Sequence, residues 1–164
     1  MINTMSKKRG MSVVEILVGS AVITIGILAL IQAFGIYLRY ALSNDKSIQA
    51  AYVAEEGLEV MGFLRDGTWS AQIHTLSTTT TYHLLWNGGG SAWTTTTTPQ
   101  YVDGVFLRQI LVTDVFRDGG GEMVASGGTY DPDTKMVRVL VKYPENHSTT
   151  TVTMTTYLTN MYGN

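Results

Sequence analysis

The sequence predicts an α+β fold, in which a long amino-terminal α-helix that can cross a membrane precedes a small antiparallel β-sheet. Two observations predict this layout. Residues 16–38 are predominantly apolar and contain no charged residue; the next charge is that of Arg39. From Tyr101 onward the apolar residues recur with a period of two, which is the period of β-strands. A threonine- and glycine-rich stretch separates the two patterns.

The apolar segment is long enough to span a bilayer once. Its 23 residues would form a helix of roughly 35 Å, against a hydrocarbon thickness of about 30 Å. Three cations, Lys7, Lys8 and Arg9, precede it, whereas only Arg39 and Lys46 follow closely. Because cytoplasmic flanks carry the excess of Lys and Arg, we expect the amino terminus to stay in the cytoplasm and the rest to be exported.

The order of the amino-terminal features differs from that of a secretory signal, in which the apolar segment precedes the cleavage site and is discarded. Here Gly10 follows the cations and precedes the apolar segment, and Glu15 is the fifth residue after Gly10. Over residues 7–38 this arrangement resembles type IV prepilins. The resemblance implies that a prepilin peptidase cuts between Gly10 and Met11, removes the leader (residues 1–10) and methylates the Met11 amine.

Glu15 is also unusual on physical grounds, because an ionisable side chain inside a membrane span is costly unless it has a partner. Residues 16–38 contain no Lys, Arg or His. A cut at Gly10 would create an amine at Met11, only about 6 Å along the helix from Glu15. Glu15 could then pair with its own amine or with that of a neighbouring subunit and set their register. The alternative is a carboxylate that extends to the membrane edge.

Small residues follow Glu15 along one side of the predicted helix: Gly19, Gly26, Ala29 and Ala33, with Val22 in the widest gap. Small side chains allow helices to approach closely, and close packing drives helix association in lipid. This stripe therefore predicts an assembly face. The alternative is ordinary membrane-helix composition, in which glycine is common.

Helical spacing continues beyond the membrane segment. We predict one helix over residues 11–66, of which 11–38 form the transmembrane or filament-core part and 39–66 an amphipathic part, with a bend near residues 43–45 or Gly57. Its second half should pack on the exported domain through apolar residues near helical spacing: Ile48, Ala51, Tyr52, Leu58, Met61 and Leu64. Residues 54–59, with 64–66 and Trp69, resemble the corresponding helix end of small bacterial prepilin-like proteins.

The remaining sequence divides into a loop region and a sheet. Residues 67–100 contain threonine runs and three consecutive glycines, which predict a loop. Residues 101–164 should form the antiparallel sheet, with a strand at 105–116 buried on both sides. The strands at 135–143 and 148–158 should form a hairpin. Residues 118–121 and 131–134 are predicted turns, and one strand face should carry Val137, Val139, Val141 and Tyr143.

The resemblance to pilins implies a pilin-like fold, in which the outer half of the helix lies across the sheet. The carboxyl-terminal residues 157–160 are also similar to those of V-type minor pilins and I-type pseudopilins of type II secretion. Two features depart from major pilins. Gln32 stands where a proline is usual, and the chain has no cysteine, so the disulfide common in major pilins cannot form. The exported domain must therefore be stabilised by core packing.

Charge argues against general nucleic-acid binding. Net charge is −2, and loss of the three leader cations leaves eight Lys and Arg against thirteen Asp and Glu, so no specific nucleic-acid partner is expected. The basic residues of the strands are expected on a solvated sheet face, and the alternative is that they form a local basic patch. Its candidate members are Arg108, Arg117, Lys135, Arg138 and Lys142.

Few residues suggest chemistry, and we expect no enzymatic activity and no cofactor. The three histidines, His74, His83 and His147, are scattered and are expected in loops. Asp131 and Asp133 are the weak candidates for a calcium site, although a proline-containing turn also favours aspartates. The aromatic residues should either pin the loop region onto the domain or form an adhesive face for surfaces or glycans: Trp69, Trp86, Trp93, Tyr82 and Tyr101.

Together these features predict a structural subunit, either a minor pilin or a secretion pseudopilin. The resemblance implies a single-pass protein of the inner membrane that later enters a cell-surface or periplasmic filament. Its implied partners are other pilin or pseudopilin subunits, the prepilin peptidase, the inner-membrane assembly platform and, before assembly, the lipid bilayer. The alternative function is a membrane-anchored, adhesin-like binding module that forms no filament.

Overall fold

The computed structural model of this chain describes residues 12–145 and 148–163. The predicted leader, Met11 and His147 lie outside these described residues. The chain divides into two compact units, Met1–Asn44 and Asp45–Asn164. The boundary falls within the first helix, so the described part of the first unit is almost entirely helical.

Helix α1, Val13–Gly67, is uninterrupted and includes the predicted bend positions, residues 43–45 and Gly57. No proline breaks it, and it ends at a glycine, with Arg65 in the last turn, where a cation complements the negative end of the helix dipole. Its amino-terminal part is long and apolar enough to cross a membrane. Such a helix satisfies its main-chain hydrogen bonds internally, as lipid requires.

The second half of α1 buries a different stripe from the predicted one. Met61 and Leu64 are buried as expected, but Ile48 and Tyr52 are exposed, Tyr52 by 67%. The helix instead turns its small residues to the sheet, because they permit the closest approach of the two layers. The buried stripe consists of Ala50, Val53, Ala54, Gly57, Val60, Met61 and Leu64.

The predicted loop over residues 67–100 contains regular structure. It begins with a single-turn helix, α2, Trp69–Gln72. Strands β1, His83–Asn87, and β2, Ala92–Thr96, then pair as an antiparallel hairpin. The loop prediction is wrong here. Low charge and threonine runs are typical of irregular structure, but β-branched threonine also favours strands.

The main sheet has five antiparallel strands: β3, Tyr101–Val102; β4, Phe106–Arg117; β5, Met123–Val124; β6, Thr129–Glu145; and β7, Ser148–Thr159. The strand order is β3-β4-β6-β7, and β5 pairs with the end of β4. The predicted hairpin of β6 and β7 is confirmed, because Glu145 is opposite Ser148 and the register continues without a shift to Thr134 and Thr159. The architecture is therefore α+β.

One face of the sheet and the buried stripe of α1 form the core. All four residues predicted to share a face of β6, from Val137 to Tyr143, are buried. The prediction that β4 is buried on both sides was wrong. Its inner row is buried, whereas the alternate residues Leu107, Gln109 and Leu111 are only half-buried. The reason is that α1 covers only one face of the sheet. Arg108 lies in the buried row.

The predicted turn at residues 131–134 lies within β6. Asp114 pairs with Lys135, but the next residue of β4, Val115, pairs with Asp131, so the three intervening residues of β6 form an irregularity. Such a bulge bends a strand and changes which side chains face inward. Proline and aspartate are therefore accommodated here without ending the strand. The predicted turn at Asp118 is confirmed, because its carboxylate accepts hydrogen bonds from the N–H groups of Gly120 and Glu122.

Candidate functional site

Glu15 has a hydrogen-bond partner within its own chain. The Ser12 N–H donates to Glu15 Oε2 over 2.9 Å, and the Glu15 N–H donates to the Ser12 carbonyl over 3.0 Å. This is the glutamate half of a capping box at the start of α1, where a carboxylate also complements the positive end of the helix dipole. Sequence reasoning missed this contact, although the Ser-x-x-Glu spacing signals it.

The candidate assembly face of α1 is uncovered in the single chain. Gly19, Gly26, Ala29 and Ala33 are all exposed, and a Cβ built on either glycine would meet no atom within 4 Å. The large apolar side chains around them, from Val13 to Leu42, are exposed as well. An apolar surface of this length requires lipid or other helices around it.

Two hydroxyl side chains within the apolar part of α1 form hydrogen bonds to their own helix. The Ser20 hydroxyl donates to the Leu17 carbonyl over 2.9 Å, and the Thr24 hydroxyl donates to the Ser20 carbonyl over 2.8 Å. Hydroxyls that bond to their own helix need no water, so they are tolerated in lipid. The processing residues Lys7, Lys8, Arg9, Gly10 and Met11 lie outside the described residues.

Arg108 joins the second half of α1 to the sheet. Its side chain is 4% exposed and forms an ion pair with Glu56 at 3.0 Å. Its Nη1 also donates to the Val53 carbonyl over 3.3 Å. The guanidinium lies 5.7 Å from the Trp93 ring centroid, on the hairpin. A buried arginine with these contacts serves packing between elements and is not part of a surface patch.

Two of the other four members of the predicted basic patch are also engaged in ion pairs. Lys135 is buried and pairs with Asp114, and Arg117 pairs with Asp131 at 2.6 Å. Only Arg138 and Lys142 lie on the outer sheet face. His83 is likewise not a loop residue. It is buried in β1, and its Nδ1 donates to the Arg108 carbonyl over 2.8 Å.

The two candidate calcium ligands bind protein groups. Asp131 accepts the Arg117 Nε–H, and Asp133 Oδ1 accepts the Asn160 side-chain amide over 3.2 Å. Among residues 12–145 and 148–163, no three His, Asp or Glu side chains are grouped so that they could hold a metal ion. Through these hydrogen bonds the two carboxylates connect β6 to the ends of β4 and β7.

Arg117 lowers the pKa of Asp131 below its ordinary value of 3.8, chiefly by hydrogen bonding to the carboxylate; partial burial acts in the opposite direction. A carboxyl group whose pKa is lower in the folded state stabilises the fold when ionised. That contribution is complete above the ordinary pKa and is lost as pH falls below it, through the folded-state pKa.

We therefore predict that Asp131→Asn destabilises the chain by about 1 kcal/mol near neutral pH. The variant should also lose less stability than the parent on acidification below the ordinary aspartate pKa. The measurement is the thermal midpoint, followed by near-ultraviolet circular dichroism, at a series of pH values. Asp103→Asn is the matched control, because Asp103 is exposed in the turn after β3. Equal acid sensitivity of Asp131→Asn and the parent would contradict the prediction.

The aromatic residues separate into core and surface groups. Trp69 is buried, and Tyr82 is half-buried and accepts the Ser77 N–H at its hydroxyl over 2.9 Å. Trp86 and Trp93 face each other across the hairpin with ring centroids 5.3 Å apart. Beside them is a cavity of about 460 Å³, here called the aromatic cavity, lined by Glu59, Val60, Phe63, Trp86, Ser91 and Trp93.

No protein-family model matches this chain. No curated protein and no solved structure matches it either.

Proposed function

We propose that this chain is a structural subunit of a type IV pilus-like filament or secretion pseudopilus, processed after Gly10 and assembled through α1. The observation that carries the proposal is the uncovered apolar surface of α1, which begins with a single carboxylate, Glu15, and lacks any further charge before Arg39. Such a surface suits lipid before assembly and a bundle of like helices afterwards.

The processing step gives Glu15 a second role beyond capping. A cut after Gly10 leaves Met11 as the new amino terminus, and Ser12 retains its peptide N–H, so the cap of Glu15 is preserved. The new positive charge then lies one residue before Ser12. It can pair with the carboxylate of the same chain or, after a shift of about one helical turn, with that of a neighbour. The pairing specifies subunit register.

The membrane orientation follows from the leader charges. Lys7, Lys8 and Arg9 keep the leader in the cytoplasm, where the prepilin peptidase acts, and the second unit is exported across the inner membrane. From there the assembly platform adds the subunit to a filament of pilins or pseudopilins. A low-abundance role is favoured over that of a major pilin, because the chain has Gln32 within the span and no cysteine.

Mass spectrometry of the intact protein from its native membrane tests the proposal. The expected species begins at Met11 and carries one added methyl group. A chain that retains residues 1–10 in assembled material would contradict the proposal, because the Met11 amine would never form.

A second candidate function is supported by the aromatic cavity. Phe63 and Trp86 are largely exposed on the second unit, which suits a membrane-anchored binding module that forms no filament. The two candidates differ in their dependence on Glu15, since an anchored receptor needs a span but no carboxylate within it.

A further inference from the structure

The aromatic cavity is formed by rings from three elements. Phe63 comes from α1 and is 64% exposed, Trp86 comes from β1 and is 50% exposed, and Trp93 comes from β2. The indole planes of Trp86 and Trp93 are inclined by 63°. Their centroids are 5.3 Å apart, so the rings touch edge to face and form an angled corner. A stacked sugar ring requires one flat platform, which this corner does not provide.

The charge of the lining selects among ligands. Glu59 is the charged member of the lining, and none of the six lining residues is a cation. Arg108 lies near the Trp93 ring, but it is buried, bound to Glu56 and not part of the lining. The negative π faces and the carboxylate disfavour an anion and favour a cation.

The lining has few side chains that accept hydrogen bonds, and this favours a fully methylated cation over a primary ammonium. Apart from Glu59, only Ser91 has a side chain in the lining with an oxygen that accepts a hydrogen bond. A primary ammonium is strongly hydrated and needs several hydrogen-bond acceptors to replace its water. A trimethylated ammonium keeps the charge, donates no hydrogen bond and presents methyl groups to aromatic walls. The volume of about 460 Å³ lies within the range of small-molecule sites.

The turn between β1 and β2 has an unusual backbone conformation at Ser91. Ser91 has a φ of 48°, one of two positive values among non-glycine residues in the described part of the chain. Non-glycine residues rarely adopt this conformation, and it concentrates at functional sites. Here it follows three glycines and brings Ser91 into the lining of the aromatic cavity.

We propose that the aromatic cavity binds a trimethylammonium group of the choline type, either free or in a lipid headgroup. Trp86, Trp93 and Phe63 contact the methyl groups, and Glu59 supplies the opposing charge. The site lies in the second unit and does not depend on filament assembly, so the proposal can fail without affecting the proposed function.

The first test compares choline with its neutral carbon isostere, 3,3-dimethylbutanol. Both are titrated into the full chain in a non-ionic detergent, and tryptophan fluorescence reports binding. Choline should bind roughly tenfold more tightly than the isostere, because only choline carries charge. Equal affinity would show a plain apolar groove and would overturn the proposal, as would the absence of any choline-dependent change.

The second test uses a matched pair of variants on α1. Glu59→Gln keeps the shape of the lining but removes its charge, and choline affinity should fall roughly fivefold. Glu55→Gln changes an exposed residue of the same helix that is outside the lining, and affinity should not change. Phe63→Leu should weaken choline binding about threefold and leave binding of the isostere nearly unchanged. An unaltered affinity in Glu59→Gln would overturn the assignment.

The source of the group is distinguished by glycerophosphocholine, which is the headgroup without its acyl chains. Tighter binding of glycerophosphocholine than of choline identifies a lipid headgroup, and tighter binding of choline identifies the free amine. Failure of both compounds to bind would overturn the proposal.

Discussion

Glu15→Leu should leave the chain inserted in the membrane but exclude it from filaments. Leucine removes the cost of a carboxylate in lipid, so insertion should be equal or better. In the proposed filament, the amine of a neighbouring Met11 would then have no partner, and an unpaired buried charge is strongly unfavourable. We expect incorporation to fall by at least about tenfold. The measurement is the amount of subunit in sheared filaments relative to the membrane fraction, in cells that lack the native copy.

Glu15→Gln separates the two roles of the carboxylate. Glutamine can still accept the Ser12 N–H, as glutamate does at 2.9 Å, because both residues complete a capping box. It carries no charge, so it cannot form an ion pair with an amine. If Glu15→Gln assembles normally, the residue acts only as a helix cap and the register hypothesis fails. If Glu15→Leu also assembles normally, the carboxylate has no part in assembly, and only the apolar surface of α1 still supports the filament proposal.

Gly57→Val should destabilise the second unit by about 2–3 kcal/mol through overpacking. A Cβ at position 57 would lie 3.0 Å from both Arg108 Cδ and Val139 Cγ1. Val139 is a buried β-branched residue with little freedom to move. The methyl groups of valine would extend further, separate α1 from the sheet and disturb the contact of Arg108 with the Val53 carbonyl. The thermal midpoint of the full chain should fall by roughly 10 °C.

Gly62→Val is the matched control on the same helix. A Cβ at position 62 meets no atom within 4 Å, and valine has a slightly better helix propensity than glycine. The control should therefore be neutral or slightly stabilising. Similar losses in the two variants would show that helix propensity or solubility, and not the close approach at Gly57, explains the effect.

The sequence predicted the existence of the helix better than its buried face. Long apolar side chains such as Ile48 and Tyr52 were expected to be buried, yet the buried positions include Ala50, Ala54 and Gly57. Hydrophobic periodicity weights large residues, whereas the approach of a helix to a sheet is limited by the residues between them. Only the packed structure identifies which side comes closest.

The hairpin was missed for a related reason. Threonine runs and consecutive glycines suggested a loop, but the register places Trp86 directly opposite Trp93. Cross-strand aromatic pairs stabilise a sheet, and this contribution depends on the pairing and not on local composition. The aromatic cavity also joins residues from positions 59 to 93, so no short motif predicts it.

The amino-acid sequence alone predicts the amino-terminal apolar helix, the antiparallel hairpin of β6 and β7, and the placement of Gly10 and Glu15 before the apolar segment. These features depend on local period, length and residue order, which are properties of the chain alone. Only the packed fold shows that Arg108 and His83 are buried, that Asp131 forms an ion pair and that Phe63 lines a cavity with two tryptophans. Such outcomes depend on contacts between residues distant in sequence, where burial and pairing override the local preference of each residue.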